Sequence, residues 1–238
     1  MTSSLSLKQD PRKGDTELFA VARRELFTSV VGDSMDKLGF YHQFLPAAIQ
    51  PLRPEFVLVG RAMPVLAADV FQERVQGSAN SLSETPFGLM LQALDDLKEN
   101  EVYINTGSSP RSALWGELMT TRAKRLGAAG AVLNGYIRDT RAVLQLAFPV
   151  FSWGSFGQDS GPRYKVIDYR VPIEIGGVRV DPGDIVFGDI DGVCIVPQSI
   201  SLEVFARALE KVRGEGRVRK ALAEGVSAVE AFHRYGVM

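Results

Sequence analysis

The stretch WGELMTTRAKRLGAAGAVLNGYIRD, residues 115–139, carries the alternation that decides the fold class. Trp115-Gly-Glu-Leu118 opens a helix with Met119, Ala123 and Leu126 on one face, and Gly127 supplies its C-terminal stop. Ala131-Val-Leu133 then reads as a short buried strand, and Gly135 lets the backbone turn tightly before Arg138-Asp139. Twenty residues lie between Glu117 and Arg138. That strand, helix, strand alternation puts a helix N-terminus and the far end of the next strand on one edge of a sheet, where α/β folds meet their ligands. Backbone N–H groups, an arginine and two carboxylates gather there, a set suited to a metal and a small anionic acid.

Working outward, residues 16–31 carry Leu18, Val21, Leu26 and Val30 at helical spacing, and Asp33 is placed to cap a second short helix ending at Gly39. Phe56 to Met63 reads as a strand, with Val65 to Val70 as its continuation or neighbour. Thr85-Pro86 starts a helix with Phe87, Leu91, Leu94 and Leu97 three or four apart. Glu101 to Asn105 follows as a strand, and Thr106 to Ser112 as a loop. The chain then changes character. Val171, Ile173 and Ile175 alternate before the two-residue hairpin signal Gly176-Gly177, as do Val178 and Val180 after it, and Asp191-Gly192 sits likewise between Ile185-Val-Phe187 and Val193-Cys-Ile-Val196. From Ser201 the sequence is helical and charged to about Arg219, then more apolar to Met238. An α/β half thus precedes a β-rich half, with no internal repeat.

The 238 residues and a hydrophobic fraction of 45% suffice for a sizeable core. We expect one α/β domain over residues 16–238, its C-terminal helical extension running from about 200, behind a flexible, polar N-terminal arm of residues 1–15. Net charge is −1, so nothing draws the chain as a whole to nucleic acid or an anionic membrane. Cys194 is the only cysteine, which excludes a disulfide framework or a cysteine metal site within the chain. With no signal-peptide pattern in the arm and no apolar run long enough to span a bilayer, the expected compartment is the cytoplasm.

Trp115-Gly-Glu-Leu118, Gly127, Gly130 and Gly135-Tyr-Ile-Arg-Asp139 together resemble the signature of the 4-hydroxy-4-methyl-2-oxoglutarate aldolase family, which shares its fold with regulator of ribonuclease activity A (RraA). The resemblance runs from about Ser29 to Pro197. It includes Asp33-Ser-Met-Asp-Lys-Leu-Gly39, Gly176-Gly-Val-Arg-Val-Asp-Pro-Gly-Asp184 and Gly188-Asp-Ile-Asp-Gly-Val193. Two positions depart from the family pattern: Ala113 stands where a glycine is usual, and Glu117 where an aspartate is.

The resemblance implies a three-layer, swivelling phosphohistidine-like fold (RraA-like) with a central β-sheet or barrel, assembled as a homotrimer or homohexamer. It also implies a class II aldolase that cleaves a 4-hydroxy-2-oxo acid to pyruvate and a second carbonyl product, and decarboxylates oxaloacetate through the same enolate. Asp139 would ligate Mg²⁺ or Mn²⁺ directly and Glu117 through a water, while the 2-oxo acid chelates the ion. Gly116 allows close approach of the substrate carboxylate, which backbone N–H groups near Leu118 and Met119 receive, and Arg138 stabilises the enolate oxygen. The alternative is an RraA-type regulator that binds ribonuclease E and needs no metal; the intact acid, arginine and aspartate set favours the enzyme. A methyltransferase reading fails because Gly127-Ala-Ala-Gly130 lies between helix and strand, the reverse of a nucleotide-binding turn.

Each signal also has a structural explanation: Glu117 complements its helix dipole, and Arg138-Asp139 is an ordinary surface pair. Their combination favours the functional reading. His42 and His233 sit among aromatic residues and read as packing or interface groups, and Asp189-Ile-Asp191-Gly192 as a turn rather than a calcium loop. Helix capping accounts for Asp33 and solvation for Asp36. Glu215 and Glu224 lie on C-terminal helices and are assigned no catalytic role. Pro86, Phe87, Tyr136 and the loop from Gly154 to Arg163 are expected to wall the pocket.

Overall fold

The structure, a computed structural model, describes residues 14–236. Helices α1 (Asp15–Glu25) and α2 (Thr28–Asp36) lead into strands β1 (Gln50–Pro51) and β2 (Leu58–Asp69). Helix α3 (Met90–Asp95) and β3 (Glu101–Thr106) follow. The segment that decided the fold class contains β4 (Ala113–Trp115), α4 (Glu117–Arg125), β5 (Gly130–Leu133) and β6 (Tyr136–Ile137). After α5 (Thr140–Gln145) come β7 (Val150–Ser152) and β8 (Tyr164–Tyr169). The hairpins β9 (Ile173–Ile175) with β10 (Val178–Val180) and β11 (Ile185–Asp189) with β12 (Gly192–Val196) form the β-rich half. Helices α6 (Ser201–Ala223) and α7 (Ala228–Tyr235) end the described chain. No helix among the described residues is long and apolar enough to cross a membrane.

The main sheet has the order β1-β7-β5-β3-β2-β11-β12, with β8 also pairing on β2. Strands β2, β3, β5 and β7 run parallel, as strand and helix alternation demands. The rest join antiparallel. The segment before β2 joins both ends of this sheet: Leu45 N–H donates to Val193 O (2.9 Å) and Ile195 N–H to Gln43 O (2.9 Å), while Gln50 is in register with Ser152 of β7. The sheet therefore curls into a nearly closed barrel, which leaves little bare edge for another chain to pair with.

Inside lie Leu58, Val102, Ile104, Val132, Phe151 and Ile195, with the β9–β10 hairpin packed against them through Ile173 and Val178. Helices α1, α2 and α6 cover one outer face through Phe19, Met35 and Phe205, and α3 and α4 cover the other around Tyr103, Trp115 and Tyr164. The result is the expected three-layer α/β architecture. Cys194 is fully buried, and burial pushes its thiol above the ordinary range, which leaves no accessible sulfur nucleophile.

Several local expectations gave way to tertiary contacts. The helix expected from Thr85 begins at Met90, because Phe87 and Gly88 both adopt positive φ (59° and 62°). They form a strap on β8, with Leu89 N–H donating to Val166 O (2.9 Å) and Val166 N–H to Phe87 O (3.1 Å). A Cβ on Gly88 would stand 2.2 Å from Val166 O, so this position admits only glycine. Asp33 does not cap a helix; it lies inside α2 and pairs with Lys211 of α6. Asp15 is no part of a free arm, since it opens α1 and is buried in a two-pronged pair with Arg61 (2.9 and 2.7 Å). Residues 1–13 of the expected arm lie outside the described residues.

The loop between β2 and α3 is organised by Lys165, a buried residue of β8 that sequence reading passed over. Its ammonium donates to the carbonyls of Glu73 (2.8 Å), Leu82 (3.1 Å), Ser83 (3.2 Å) and Thr85. The carbonyls of Leu82, Ser83 and Thr85 also accept from the backbone N–H groups of Thr85, Val75 and Gly88, so the ammonium gathers already paired turns onto one point and adds the donor to Glu73 O.

Candidate active site

The chain enters the site on β4 rather than on a helix. Trp115 is its last residue and stands in register with Ile137 of β6, and Arg138 N–H donates to Trp115 O (2.9 Å). Gly116, extended at φ −155°, is the N-cap, so the helix begins one residue later than the motif suggested, at Glu117. Trp115 anchors this turn. Its Nε1 donates to Thr120 Oγ1 (2.7 Å), Thr120 Oγ1 donates to Gly116 O (2.9 Å), and its ring lies 5.0 Å from that of Tyr103 and 6.4 Å from that of Phe148.

The β4–β6 pairing lays the first turn of α4 against Asp139. That residue is the N-cap of α5 with φ +56°, a left-handed conformation that aspartate tolerates better than most side chains. Its carboxylate does not cap its own helix. Oδ2 instead accepts from Glu117 N–H across the gap (3.3 Å). A Cβ on residue 116 would sit 2.7 Å from that same oxygen, so glycine lets the Asp139 carboxylate lie against the turn without moving. The next two N–H groups of α4, on Leu118 and Met119, have no intrahelical acceptor and carry the positive end of the helix dipole. Gly135 also serves close approach rather than a turn, because a Cβ there would meet Leu114 Cδ1 at 2.8 Å.

Around these groups opens a cleft of about 240 Å³. Of the residues singled out from sequence, Gly116, Leu118, Met119, Arg138 and Asp139 line it. Glu117 borders the cleft without lining it, and its Oε1 accepts from Thr121 Oγ1 (2.8 Å). Phe87 forms part of the wall and the loop from Gly154 to Arg163 contributes Ser160, whereas Pro86 and Tyr136 do not face in. Asp33, Asp36, His42 and His233 are absent from the lining, and both histidines are exposed. Asp189 makes the expected turn, with Oδ1 accepting from Asp191 N–H (2.9 Å) and Oδ2 from Thr28 N–H (2.7 Å). Glu215 and Glu224 pair with Lys211 and Lys220 on α6.

Sequence reading missed Asp159. Arg138 Nη1 donates to Asp159 Oδ1 at 2.6 Å, while Arg138 Nε lies 3.8 Å from Asp139 Oδ2. Asp159 is itself held, since its Oδ2 accepts from Gly161 N–H (2.9 Å) and its backbone carbonyl accepts from Arg163 (3.1 Å). The guanidinium is therefore fixed between two carboxylates before any ligand arrives. Nothing in the polar run Gln158-Asp-Ser160 distinguishes Asp159 from a solvated loop residue; only its position against Arg138 does.

Two carboxylates, from Asp139 and Asp159, flank the Arg138 guanidinium. Among the described residues no three acidic, histidine or cysteine side chains converge closely enough to cage a metal. Of the carboxylates of Glu117, Asp139 and Asp159 only that of Asp139 lines the cleft, a single hard oxygen donor of the kind that a divalent cation keeping most of its water would take.

Comparison with known proteins decides the family. The family model described as RraA-like, Aldolase/RraA, matches residues 28–195. The chain belongs to the RraA-like family. A Halalkalibacterium halodurans relative with the provisional name 4-hydroxy-4-methyl-2-oxoglutarate aldolase is 30% identical over 215 residues, 90% of this chain and 93% of its own length. A structure solved among novel cellulases from microbes of the gut ecosystem is 32% identical over 90% of each chain, with a TM-score of 0.77. Streptomyces coelicolor RraAS2, described as an unusual member of the RNase ES inhibitor RraA protein family, superimposes with a TM-score of 0.73 over 87% of this chain and 98% of its own, at 24% identity. The last of these likenesses concerns the fold alone. RraA-like relatives thus carry names from different functions, and the choice among them rests on the site.

Proposed function

We propose that this RraA-like protein is a divalent-metal-dependent aldolase that cleaves a 4-hydroxy-2-oxo acid to pyruvate and a second carbonyl compound. The observation that carries this reading is the convergence, in one cleft, of the free N-terminal turn of α4 with Arg138 and Asp139. The name of the Halalkalibacterium relative supports the same class of reaction.

Asp139 would hold Mg²⁺ or Mn²⁺, with Glu117 reaching it through water, and the ion would supply Lewis-acid stabilisation of negative charge on the substrate. The N–H groups of Leu118 and Met119 receive the substrate carboxylate, and Gly116 leaves room for its approach. In the cleavage the C3–C4 bond breaks and its electron pair moves into the pyruvate enolate. The C4 hydroxyl loses its proton as the second carbonyl forms, and C3 gains one to complete pyruvate. Arg138, fixed by Asp159 before the reaction, meets the charge that develops on the enolate oxygen without reorganising. No amine needs to form a Schiff base.

Oxaloacetate losing CO₂ gives the same enolate, so both reactions share one site. Arg138→Ala is expected to depress pyruvate formation from a 4-hydroxy-2-oxo acid and from oxaloacetate together, by roughly 10²-fold each. A lactate dehydrogenase-coupled assay reads both. Loss of one activity with the other spared would contradict a shared intermediate.

Assembly belongs to the same proposal. On the C-terminal helices Leu222 (37% exposed), Val229 (69%) and Phe232 (52%) present apolar surface, which supports a homotrimer or homohexamer with these residues at a contact. Light scattering of the full chain and of a chain truncated at Glu224 tests this. A full-length monomer, or a truncated oligomer of unchanged size, would refute the contact.

A further inference from the structure

The wall of the cleft bears on which 4-hydroxy-2-oxo acid is cleaved. Besides Arg138 and Asp139 its lining includes Phe87, Met90, Leu91, Leu94, Leu118 and Met119. Leu91 is 56% exposed and Leu118 79%, so the apolar surface of this wall reaches solvent. Among the described residues Arg138 is the only cationic side chain in the lining, and Asp159 already binds it. The N-terminal turn of α4 and Arg138 account for the C1 carboxylate and the ketone oxygen of a 2-oxo acid. Among the described residues no second cation lines the cleft to receive a carboxylate at the far end of the substrate, and seating that charge against leucine and phenylalanine would strip its water without replacing it.

We infer that the physiological substrate is a 4-hydroxy-2-oxo acid whose tail beyond C4 is uncharged and apolar, so that the second product is an apolar aldehyde or ketone and not an oxo acid. This specificity rests on the aldolase reading for its chemistry and on the apolar wall for its selection. It departs from the substrate in the Halalkalibacterium relative's name, which carries a second carboxylate. The bond bookkeeping is unchanged: C3–C4 breaks, the C4 hydroxyl proton is lost, C3 is protonated, and the tail leaves on the new carbonyl group. An apolar substituent gains from leaving water for this wall, and a hydrocarbon surface separates a charged from an uncharged tail far more sharply than it separates two alkyl tails.

The test uses two ligands of matched shape that cannot be cleaved, 2-oxoglutarate and 5-methyl-2-oxohexanoate, the second replacing the two terminal carboxylate oxygens by methyl groups. Calorimetric titration of the full-length protein with each, in excess Mn²⁺, is expected to show at least tenfold tighter binding of 5-methyl-2-oxohexanoate. Equal affinities, tighter binding of 2-oxoglutarate, or binding of neither overturns the inference. Leu91→Arg, at an exposed position where folding tolerates the change, is expected to strengthen 2-oxoglutarate and shrink the ratio at least threefold. A ratio unmoved by the new cation overturns the assignment of the tail to this wall. Turnover separates the two ideas. An apolar preference without pyruvate release from any hydroxy acid refutes the aldolase reading alone, whereas faster pyruvate release from a dicarboxylate than from its alkyl counterpart refutes the tail inference alone.

Discussion

Asp139→Asn is expected to lower pyruvate release by roughly 10²–10³-fold with little change in thermal stability, in keeping with the loss of one focused electrostatic contact at a reacting centre. Asparagine is the informative replacement. It accepts the left-handed backbone at φ +56° nearly as readily as aspartate, and its side-chain oxygen can still accept from Glu117 N–H. What it lacks is the negative charge that a hard divalent cation requires. Chelation should mimic the substitution: excess EDTA abolishes turnover by the unaltered protein, and Mn²⁺ restores it. The variant should recover far less at the same Mn²⁺ concentration. Undiminished turnover in EDTA, or an Asp139→Asn protein as active as its parent, would leave the metal-dependent mechanism without support.

The largest effect on stability is expected at Lys165. Lys165→Met keeps the length and apolar stem of the side chain but withdraws the ammonium from the carbonyls of Glu73, Leu82, Ser83 and Thr85. Only Glu73 O loses its donor outright, because Leu82, Ser83 and Thr85 keep backbone N–H donors, so a loss of about 1–3 kcal/mol is expected by denaturant titration. Hydrogen exchange should quicken across residues 73–89 and leave the barrel strands unaffected, since the opening is local. The consequence reaches the site, because Phe87 ends this loop and walls the cleft. A variant of unchanged stability and protection would mean that water satisfies these carbonyls equally well.

Much of the architecture is legible in the chain because it follows from short-range rules. The face of Met119, Ala123 and Leu126 and the stop at Gly127 (φ +79°) mark α4, and Gly176-Gly177, both with positive φ, mark the β9–β10 hairpin. Helical spacing misled at Thr85 to Leu97, where Phe87, Leu91 and Leu94 line the cleft from a strap and a helix of six residues. There the pairing of Gly88 with Val166 outweighs a weak intrinsic preference for helix.

By itself the sequence determined the alternation of β2, β3, α4 and β5, the β-rich second half, and a helix N-terminus set close along the chain to an arginine and an aspartate. Those features depend on side-chain periodicity, turn chemistry and neighbouring residues, all local quantities. Only the tertiary structure decided that Gly116 lies under Asp139, that Asp159 holds Arg138, that residues 43–51 draw the sheet into a barrel, and that Lys165 supports the wall above the cleft. The Arg138–Asp159 contact spans 21 residues and that of Lys165 with Glu73 spans 92. Contacts between such distant groups leave no periodic trace in the chain, and their geometry exists only once the barrel has formed.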